Sequence, residues 1–246
     1  MSPHRTPVKP DQSLVVKFRN VSLFADMNQE LVLRAAAMSI LRTYHKGREV
    51  LPFRDRTSDV FFVIEGRVQI RNFSESGREF IYSEFGKGDV FGEFSALDGL
   101  PRSASVVAID DSTVARMKSI DFLELLRSDF DLTLRLLRLL TAKVRELSDK
   151  VIELVALSAC DRLRFELSRL AAKGVRQGAG IVIRPAPTHY ELAARVGSQR
   201  EAVTKELNRL ATLGYLRLGR QQIVIPDFDR FSSDLVGPRH DAGGTP

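Results

Sequence analysis

The chain has 246 residues, of which 43% are hydrophobic, and its single cysteine is Cys160. This length accommodates one large domain or two small ones, and we predict two. The sequence has no apolar run long enough to cross a bilayer and no segment that resembles a secretory leader, so we expect a cytoplasmic protein without a membrane partner. One cysteine excludes a disulfide within the chain and, with only four histidines, argues against a metal site.

The positive charge is unevenly distributed along the sequence. The formal net charge is +6, and residues 160–225 alone hold 12 Lys and Arg against 5 Asp and Glu. A basic surface at one end of a molecule is expected where that end binds a polyanion such as DNA. Charge alone is weak evidence, because basic faces are more often only solvated.

Residues 18–128 have the pattern of a compact β domain. Short β-type runs at 60–64, 68–72 and 105–109 are separated by glycines. Short strands at this spacing predict a β-roll or jelly roll. The preceding segment 1–17, which is rich in Pro and charge, is predicted to be a disordered tail.

Helical patterns replace the β-type runs after residue 117. Ser119 is placed to cap a short helix through Leu126, and a second helical stretch of about 129–157 contains neither Gly nor Pro. Its apolar residues recur at alternating steps of three and four, which is the a and d spacing of a coiled coil. We predict a dimerisation helix at 129–158.

The apolar stripe of this helix is the predicted dimer interface. Its members are Leu137, Leu140, Val144, Leu147, Val151 and Leu154. The alternative is that the stripe packs on the chain's own β domain. Charged residues flank the stripe over its whole length, and this favours pairing of two helices.

A separate C-terminal domain is predicted at 159–228. The pattern there indicates a helix at 159–173, a glycine-rich turn at 174–180, then two short helices and a hairpin. The end of the chain, 229–246, is rich in Gly, Pro and charge and is predicted to be a second disordered tail.

The segment 91–108, FGEFSALDGLPRSASVVA, contains residues suited to holding a phosphate ester. Gly92 lets a backbone approach a ligand closely, and a helical turn at 94–97 can direct free N–H groups at an anion. Arg102 offers a planar fork to two phosphate oxygens, and Ser103 can donate one more hydrogen bond. Glu93 repels a phosphate unless it has a donor of its own, which a ribose 2′-hydroxyl supplies. The alternative is a structural ion pair between Glu93 and Arg102.

This segment closely resembles the phosphate-binding cassette of cyclic-nucleotide-binding domains, in which Gly-Glu precedes a short helical turn and Arg-Ser-Ala. The resemblance extends upstream through 61–66 and 88–93. It implies that Glu93 binds the ribose 2′-hydroxyl, Arg102 the cyclic phosphate, and Ser103 the phosphate or the purine. The cyclic-nucleotide-binding residues predicted in the cassette are Gly92, Glu93, Phe94, Ser95, Arg102 and Ser103.

The resemblance also implies a contact to the base. In the catabolite-activator family a Thr-Ser pair on the dimer helix binds the adenine amino group across the dimer, and the ungapped alignment places Leu147 and Ser148 there. Leu147 cannot make the threonine hydrogen bond, and Lys143 stands where the family commonly has an arginine. We therefore expect cAMP to be favoured over cGMP with weakened discrimination, and cGMP is the alternative effector.

Residues 187–210, PTHYELAARVGSQREAVTKELNRL, contain two predicted helix starts. Thr188 with Glu191, and Ser198 with Glu201, each fit the S/T-x-x-E capping box, and a glycine separates the two helices. This arrangement is a helix-turn-helix signature.

The segment resembles the DNA-binding domain of the same family, whose recognition helix carries an Arg-Glu-x-x-x-Arg core. Here that core is Arg200, Glu201 and Lys205. Arg can pair with guanine O6 and N7 and Glu can accept from cytosine N4, although Glu201 could do no more than cap its helix. Gln199 and Ala202 replace small hydroxyl residues that often contact phosphates in the family. The predicted DNA-binding residues, including two on a wing at 215–225, are Thr188, Ser198, Gln199, Arg200, Glu201, Thr204, Lys205, Arg217 and Arg220.

Taken together, these patterns predict an α+β protein with an N-terminal cyclic-nucleotide-binding β-roll, a long dimerisation helix and a C-terminal winged helix-turn-helix. The predicted function is that of a cAMP-responsive transcription regulator, a homodimer that binds palindromic double-stranded DNA and contacts RNA polymerase. The alternatives are an effector-independent or cGMP-responsive member of the family and a cyclic-nucleotide module without a DNA role. An enzyme is not expected, because His45 and His189 lack an adjacent nucleophile, and no catalytic residue is predicted.

Overall fold

The computed structural model describes residues 12–74 and 79–235. These residues form two compact units, of which the first ends at Arg145 and the second begins at Glu146. The division falls inside the long helix, whereas the sequence pattern predicts a separate segment for that helix at 129–158. The predicted α+β class is confirmed. None of the described helices is both long and apolar enough to span a membrane.

The first unit is built from two four-stranded antiparallel sheets and the helices around them. The strand orders are β1-β8-β3-β6 and β2-β7-β4-β5. In chain order, its described elements are α1 (Gln12–Arg19), α2 (Gln29–Ala37), β1 (Ser39–Tyr44), β2 (Glu49–Leu51), β3 (Val60–Glu65), β4 (Val68–Phe73), β5 (Glu79–Phe85), β6 (Val90–Phe91), α3 (Glu93–Asp98), β7 (Ser105–Ala108), β8 (Ser112–Met117), α4 (Ser119–Ser128) and α5 (Phe130–Ala156), whose last residues belong to the second unit.

Strand β3 shows how this unit is packed. Five of its six residues are buried, because alternate side chains point to opposite faces and both faces are covered. Phe62 belongs to a core shared with the helices, where its ring lies 5.4 Å from that of Phe24. Phe61 belongs to the core between the two sheets and stacks on Phe91 at 5.2 Å. The strand therefore holds the helices and the second sheet together.

Helix α1 corrects the prediction of a disordered tail at 1–17. Its apolar residues Leu14, Val15 and Phe18 recur at helical spacing and are buried. Phe18 is fully buried, and full burial of such a side chain contributes about 2 kcal/mol. The prediction is wrong for residues 12–17, and residues 1–11 lie outside the described part of the chain.

Helix α4 begins as expected, but it is not capped by Ser119. Ser119 is its first residue, the N-cap position is Lys118, and no side chain bonds the free N–H groups there. The Ser119 hydroxyl is instead hydrogen-bonded to that of Ser58 at 2.8 Å. The predicted cap is therefore wrong, and the helix extends to Ser128 rather than Leu126.

Helix α5 agrees with its predicted bounds to within one residue at its start and ends at Ala156. Asp129 Oδ1 accepts a hydrogen bond from the Leu132 N–H at 2.8 Å and caps its first turn. Leu132 and Leu136 are buried in the helix-side core of the β-roll, and Leu139 and Leu140 pack partly against it. The N-terminal half of the helix is thus anchored to the first unit by its own apolar face.

The second unit contains a four-stranded antiparallel sheet of order β11-β12-β10-β9. Its described elements after α5 are α6 (Ala159–Ala172), β9 (Val175–Gln177), β10 (Gly180–Ile183), α7 (His189–Val196), α8 (Arg200–Thr212), β11 (Arg217–Gly219), β12 (Gln222–Ile225) and α9 (Phe228–Leu235). The predicted turn at 174–180 is in fact part of the β9–β10 hairpin, with Gly178 at a φ of 61° between the strands.

Helix α9 corrects the second disordered tail, which was predicted at 229–246. Phe231 is fully buried in the core of the second unit, and Phe228 and Leu235 pack partly against the same core. The prediction is wrong for residues 229–235, where these apolar side chains were overlooked among polar neighbours. Residues 236–246 lie outside the described part of the chain.

Ion pairs with buried carboxylates join the helices of the second unit. Glu206 of α8 is 2.8 Å from Arg164 of α6 and 2.7 Å from Arg209. The hydrogen bond from Arg209 lowers the pKa of Glu206; burial opposes this shift and Arg164 reinforces it. Arg169 of α6 similarly bridges Glu153 of α5, at 2.6 Å, and Glu166, at 3.0 Å. Burial acts to lower the pKa of Arg169, but these carboxylates outweigh it and raise the pKa.

Candidate functional site

Gly92 lies at the centre of the predicted cassette. It precedes α3 with a φ of +79°, a conformation that L side chains rarely adopt. A Cβ atom at this position would lie 2.9 Å from Nη1 of Arg102 and 3.0 Å from the carbonyl oxygen of Asp59. Both the backbone conformation and the close approach of Arg102 therefore require glycine here.

Arg102 is 3% exposed, and its guanidinium donates only to neutral oxygens in the described part of the chain. Nη1 donates to the Gly92 carbonyl at 2.8 Å, and Nη2 donates to the Asp59 carbonyl at 2.8 Å. The Thr57 hydroxyl accepts weaker bonds from Nη2 and Nε at 3.3 and 3.4 Å. The carboxylate of Asp59 pairs with Arg116 instead, at 3.2 Å.

The electrostatic consequence is a buried cation that has no close anionic partner among residues 12–74 and 79–235. Burial lowers the pKa of Arg102, and the more distant charges of Asp55, Asp59 and Glu93 oppose this shift without cancelling it. An anion brought next to this guanidinium would relieve the cost of its burial.

Glu93 is buried beside Arg102 but forms its ion pair with Lys143 of α5. Lys143 Nζ is 2.7 Å from Glu93 Oε1 and 3.4 Å from the Val90 carbonyl, and it lies 4.8 Å from the centre of the Phe85 ring. The alternative of a Glu93–Arg102 ion pair is therefore replaced by a Glu93–Lys143 pair. The structure brings Gly92, Glu93, Arg102 and Lys143 together in the first unit.

The other predicted nucleotide-binding residues have different surroundings. Ser95 is buried within α3, whereas Phe94 is 44% exposed with its ring 6.0 Å from Lys143 Nζ. Ser103 is exposed, and its carbonyl accepts a hydrogen bond from Asn72 at 3.2 Å. Leu147 and Ser148 lie further along α5, in the second unit.

Thr57 and Asp59 were missed by the sequence analysis. They hold Arg102 through a hydroxyl and a backbone carbonyl, and the same loop is tied to the cassette by two backbone bonds. The Arg54 N–H donates to the Arg102 carbonyl at 3.0 Å, and the Arg102 N–H donates to the Asp55 carbonyl at 2.8 Å. Backbone acceptors leave no residue-specific signal, so no motif marks this loop.

The first predicted capping box of the helix-turn-helix is confirmed. Thr188 Oγ1 accepts from the Glu191 N–H at 3.2 Å, and Glu191 Oε2 accepts from the Thr188 N–H at 2.7 Å. Helix α7 ends at Gly197, whose φ is +62°, as expected for a left-handed helix terminus.

The second capping box, Ser198 with Glu201, is wrong. The N-cap residue of α8 is Gln199, and no side chain caps the helix. The Ser198 N–H donates to the Ala193 carbonyl at 2.9 Å and so completes the end of α7 instead. Glu201 is exposed in the first turn of α8, where it is available to a ligand rather than committed to a cap.

The predicted recognition helix α8 presents a polar face. Arg200, Glu201 and Lys205 are exposed, while the apolar residues Val203, Leu207 and Leu210 are buried. On the wing, Arg217 and Arg220 are also exposed, the first on β11 and the second in the turn that follows.

The apolar stripe on α5 is only partly used by the chain itself. Leu140 packs against the β-roll core. The other members of the stripe are about half exposed or more: Leu137 53%, Val144 61%, Leu147 47%, Val151 59% and Leu154 52%. Such a series of exposed apolar side chains on one helix is typical of an interface.

Comparisons with known proteins agree with this architecture. Residues 41–129 match the family model of the cyclic nucleotide-binding domain, and residues 161–233 match that of the Crp-like helix-turn-helix domain. The chain is 32% identical over 198 residues to a cyclic AMP receptor protein of Thermus thermophilus, an alignment that covers 80% of this chain and 88% of the relative. It is 26% identical over 190 residues to a CRP-like cAMP-activated global transcriptional regulator of Mycobacterium tuberculosis, covering 77% and 85%.

A solved structure has a similar fold. The crystal structure of a CRP/FNR-family transcriptional regulator from Thermus thermophilus matches with a TM-score of 0.67 and 25% identity, covering 81% of this chain and all of that one. In this chain the cyclic nucleotide-binding domain precedes the Crp-like helix-turn-helix domain. Proteins of the CRP-FNR family, which combine these two domains, are transcription regulators rather than enzymes. The chain belongs to the CRP-FNR family of DNA-binding transcription regulators that carry a cyclic-nucleotide-binding domain.

Proposed function

We propose that this regulator acts in the cytoplasm as a homodimer that binds cAMP and palindromic DNA. The observation that carries the nucleotide part is Arg102, a buried guanidinium held in place by neutral oxygens. A cyclic phosphate would supply the missing negative charge and accept two parallel hydrogen bonds from the guanidinium fork. Ser103, which follows it and is exposed, would donate a third.

The ribose is assigned to Glu93. Lys143 is bonded to Oε1 of Glu93, so Oε2 can accept from a 2′-hydroxyl. Lys143 also balances the carboxylate charge, which reduces the repulsion between Glu93 and a bound phosphate. In this proposal Lys143 is a positioning residue: it holds Glu93 in place, and Glu93 makes the contact with the nucleotide.

The choice of cAMP is supported by the relatives, two of which are described as responding to or receiving cAMP. The proposed base contacts are Leu147 and Ser148, and only the serine can form a hydrogen bond. Calorimetric titration of the purified protein with cAMP and with cGMP tests the proposal. We expect cAMP to bind more tightly than cGMP by about tenfold or less, since a single base hydrogen bond is worth about 1 kcal/mol. Equal or reversed affinities would contradict cAMP as the effector.

The dimer is assigned to the exposed stripe of α5. Leu137, Val151 and Leu154 lie on it at heptad positions and are each more than half exposed. The double substitution Val144→Asp with Val151→Asp would place like charges in a closed apolar seam and should give monomers in sedimentation. Ile152→Asp is the control, because Ile152 is 63% exposed but lies outside the stripe. A dimeric double variant would contradict this interface.

The DNA target follows from the symmetry of such a dimer. Two recognition helices related by a two-fold axis fit a palindrome whose half-sites lie about one helical turn, or about 34 Å, apart. We propose that the nucleotide biases the pose of the two DNA-binding domains towards this spacing, and that RNA polymerase is a further partner. Selection of sites from random DNA, with and without nucleotide, should yield a palindrome only when the nucleotide is present.

An effector-independent regulator is the alternative, and one contact favours it. Lys143 already occupies one oxygen of Glu93, so the buried carboxylate has its countercharge without a ligand. The same selection experiment separates the two functions. A palindrome recovered with equal affinity in the absence and presence of nucleotide would establish the alternative.

A further inference from the structure

We infer that Thr204 is a specificity-determining residue for DNA. Its hydroxyl accepts a hydrogen bond from the amino group of a base and thereby selects adenine or cytosine. The inference rests on the proposed reading of DNA by α8, since Thr204 lies one helical turn after Arg200 on that helix. Its side chain is partly exposed, and two short contacts fix the role of its hydroxyl.

The hydroxyl of Thr204 has two partners within the protein. Its Oγ1 atom is 2.9 Å from the backbone carbonyl oxygen of Arg200 and 2.8 Å from Nδ1 of His189, the first residue of α7. A hydroxyl has one hydrogen to donate and two lone pairs that accept. The carbonyl can only accept, whereas an imidazole nitrogen either donates or accepts.

The single hydrogen is used within the protein when Thr204 donates to either partner; if it turned towards DNA instead, Oγ1 would face the Arg200 carbonyl oxygen at 2.9 Å with no hydrogen between them. If Thr204 donates to the Arg200 carbonyl, Nδ1 of His189 must donate to Thr204, and one lone pair is left. If Thr204 donates to Nδ1 instead, both lone pairs are left. In neither case does a hydrogen remain for DNA, so Thr204 meets DNA only as an acceptor.

An acceptor discriminates between the groups that DNA presents. Phosphate oxygens are acceptors, so they gain nothing from Thr204 and repel its lone pair. In the major groove, adenine N6 and cytosine N4 carry amino hydrogens, whereas guanine and thymine present acceptor oxygens on the corresponding edges. Thr204 should therefore favour adenine or cytosine on one strand at one position.

His189 is the positioning residue in this arrangement. Threonine in a helix populates two rotamers, because its hydroxyl can bond to a preceding carbonyl in either. The contact with His189 comes from the other helix of the helix-turn-helix and so favours one rotamer. His189 is in turn fixed by the confirmed capping box at Thr188, which sets where α7 begins.

The test is selection of sites from random DNA by the nucleotide-loaded full chain and four variants. Thr204→Val is isosteric but has no hydroxyl, and we expect it to lose the adenine or cytosine preference at one base pair. Its Kd for the site selected by the wild type should rise by about threefold to tenfold, the effect of one hydrogen bond. Its affinity for random DNA and its salt dependence should stay unchanged.

Of the other three variants, one tests the hydroxyl of Thr204 and two test the role of His189. Thr204→Ser keeps the hydroxyl and should keep the preference. His189→Asn offers an amide donor near the place of Nδ1 and should largely keep it, whereas His189→Ala should weaken it. Thermal unfolding of each variant verifies that the fold is retained.

The outcomes separate this inference from the proposed function. If the wild type selects no sequence, base reading by α8 fails and this inference fails with it. If the wild type selects a site and Thr204→Val selects the same one, only the inference about Thr204 is overturned. A uniform loss of affinity for all sequences with a reduced salt slope would instead identify Thr204 as a phosphate contact. Equal profiles for His189→Ala and the wild type would overturn the positioning role.

Discussion

Two arginines, Arg102 in the first unit and Arg169 in the second, have opposite electrostatic surroundings. In the first unit, Arg102 is surrounded by carbonyl and hydroxyl oxygens, and burial lowers its pKa. In the second, half-buried Arg169 bridges two glutamates, which raise its pKa despite the opposing effect of burial. A buried charge is costly unless it is paired, so the unpaired arginine identifies the place where a ligand would supply the partner.

The same reasoning makes the paired arginines of the second unit structural. Glu206 joins α6 to α8 through Arg164, and Glu153 joins α5 to α6 through Arg169. These pairs need no ligand, and they fix the helix that is proposed to enter DNA. Arg200 and Lys205 are exposed instead, and we propose that they bind DNA.

The largest effect is expected from Arg102→Ala. Removing this partner should weaken cyclic nucleotide binding by about a thousandfold, or about 4 kcal/mol, because the buried phosphate would lose its countercharge. Calorimetric titration measures the loss. Arg67→Ala is the matched control, since Arg67 pairs with Asp110 at 2.6 Å on the surface of the same unit and should leave binding within about twofold. If Arg102→Ala bound cyclic nucleotide as tightly as the wild type, Arg102 would not be a ligand-binding arginine and would not differ in role from the paired arginines.

Loss of a paired charge should instead reduce stability. Glu206→Ala leaves the half-buried Arg164 without this partner and should lower the free energy of unfolding by about 3 kcal/mol. Denaturant unfolding followed by circular dichroism measures the change. Glu146→Ala is the control, because Glu146 forms a solvent-exposed i, i+4 pair with Lys150, worth about 0.5 kcal/mol or less. Similar losses for the two variants would show that burial of the pair is unimportant.

A smaller effect, on DNA affinity, should distinguish the exposed residue Arg200 of α8 from the exposed residue Arg217 of the wing. Arg200→Ala should cost about 2 kcal/mol on the selected palindrome and relax the preference at one base pair, with little effect on random DNA. Arg217→Ala, on the exposed strand β11, should weaken binding to all sequences alike and reduce the salt slope by about one. Both are measured by fluorescence anisotropy over a series of salt concentrations. Identical selected sites for Arg200→Ala and the wild type would leave α8 as a backbone clamp.

The smallest expected effect is on the pH dependence of the free energy of unfolding. The pKa of Glu206 is lowered in the folded protein, first by its hydrogen bond from Arg209. A lowered pKa stabilises the fold at neutral pH, and this contribution is lost as the pH falls through the folded-state pKa. As the pH falls below about 4.5, the ordinary pKa of a glutamate, the free energy of unfolding of the wild type should therefore decrease by more than that of Glu206→Gln. Parallel losses for the two proteins would show that Glu206 does not contribute.

The motifs that predict function in this sequence consist of residues that lie close together along the chain. Gly92, Glu93 and Arg102 lie within eleven residues, and the box at Thr188 spans four, so their geometry follows from short-range backbone constraints. The partners of Arg102 could not be predicted, because Thr57 and the carbonyl of Asp59 reach it across more than forty residues. The Lys143–Glu93 pair is hidden for the same reason, with fifty residues between its members.

Two errors of boundary share a different cause. The predicted tails, 1–17 and 229–246, are rich in Pro, Gly and charge when each is taken as a whole, but the first ends in the buried residues Leu14 and Val15 next to Phe18, and the second contains the buried Phe231. A large aromatic side chain, together with smaller apolar residues of the same helix, docks each of these short helices onto an existing core. The predicted capping box at Ser198 is absent because two uses of the same N–H group compete. The backbone N–H of Ser198 donates to the Ala193 carbonyl at the end of α7 and so does not donate to Glu201.

The position of the wing strand in its sheet has a consequence for how freely the wing can change in length. Strand β11 lies at the edge of the order β11-β12-β10-β9, and its three residues are exposed, whereas Ile223 and Ile225 of β12 are buried. Residues can therefore be inserted or deleted at the tip around Arg220 without repacking the interior. A change in the length of this wing would therefore alter its proposed contact with the DNA backbone, and with it the overall affinity for DNA, at little cost in folding and without changing the proposed recognition helix.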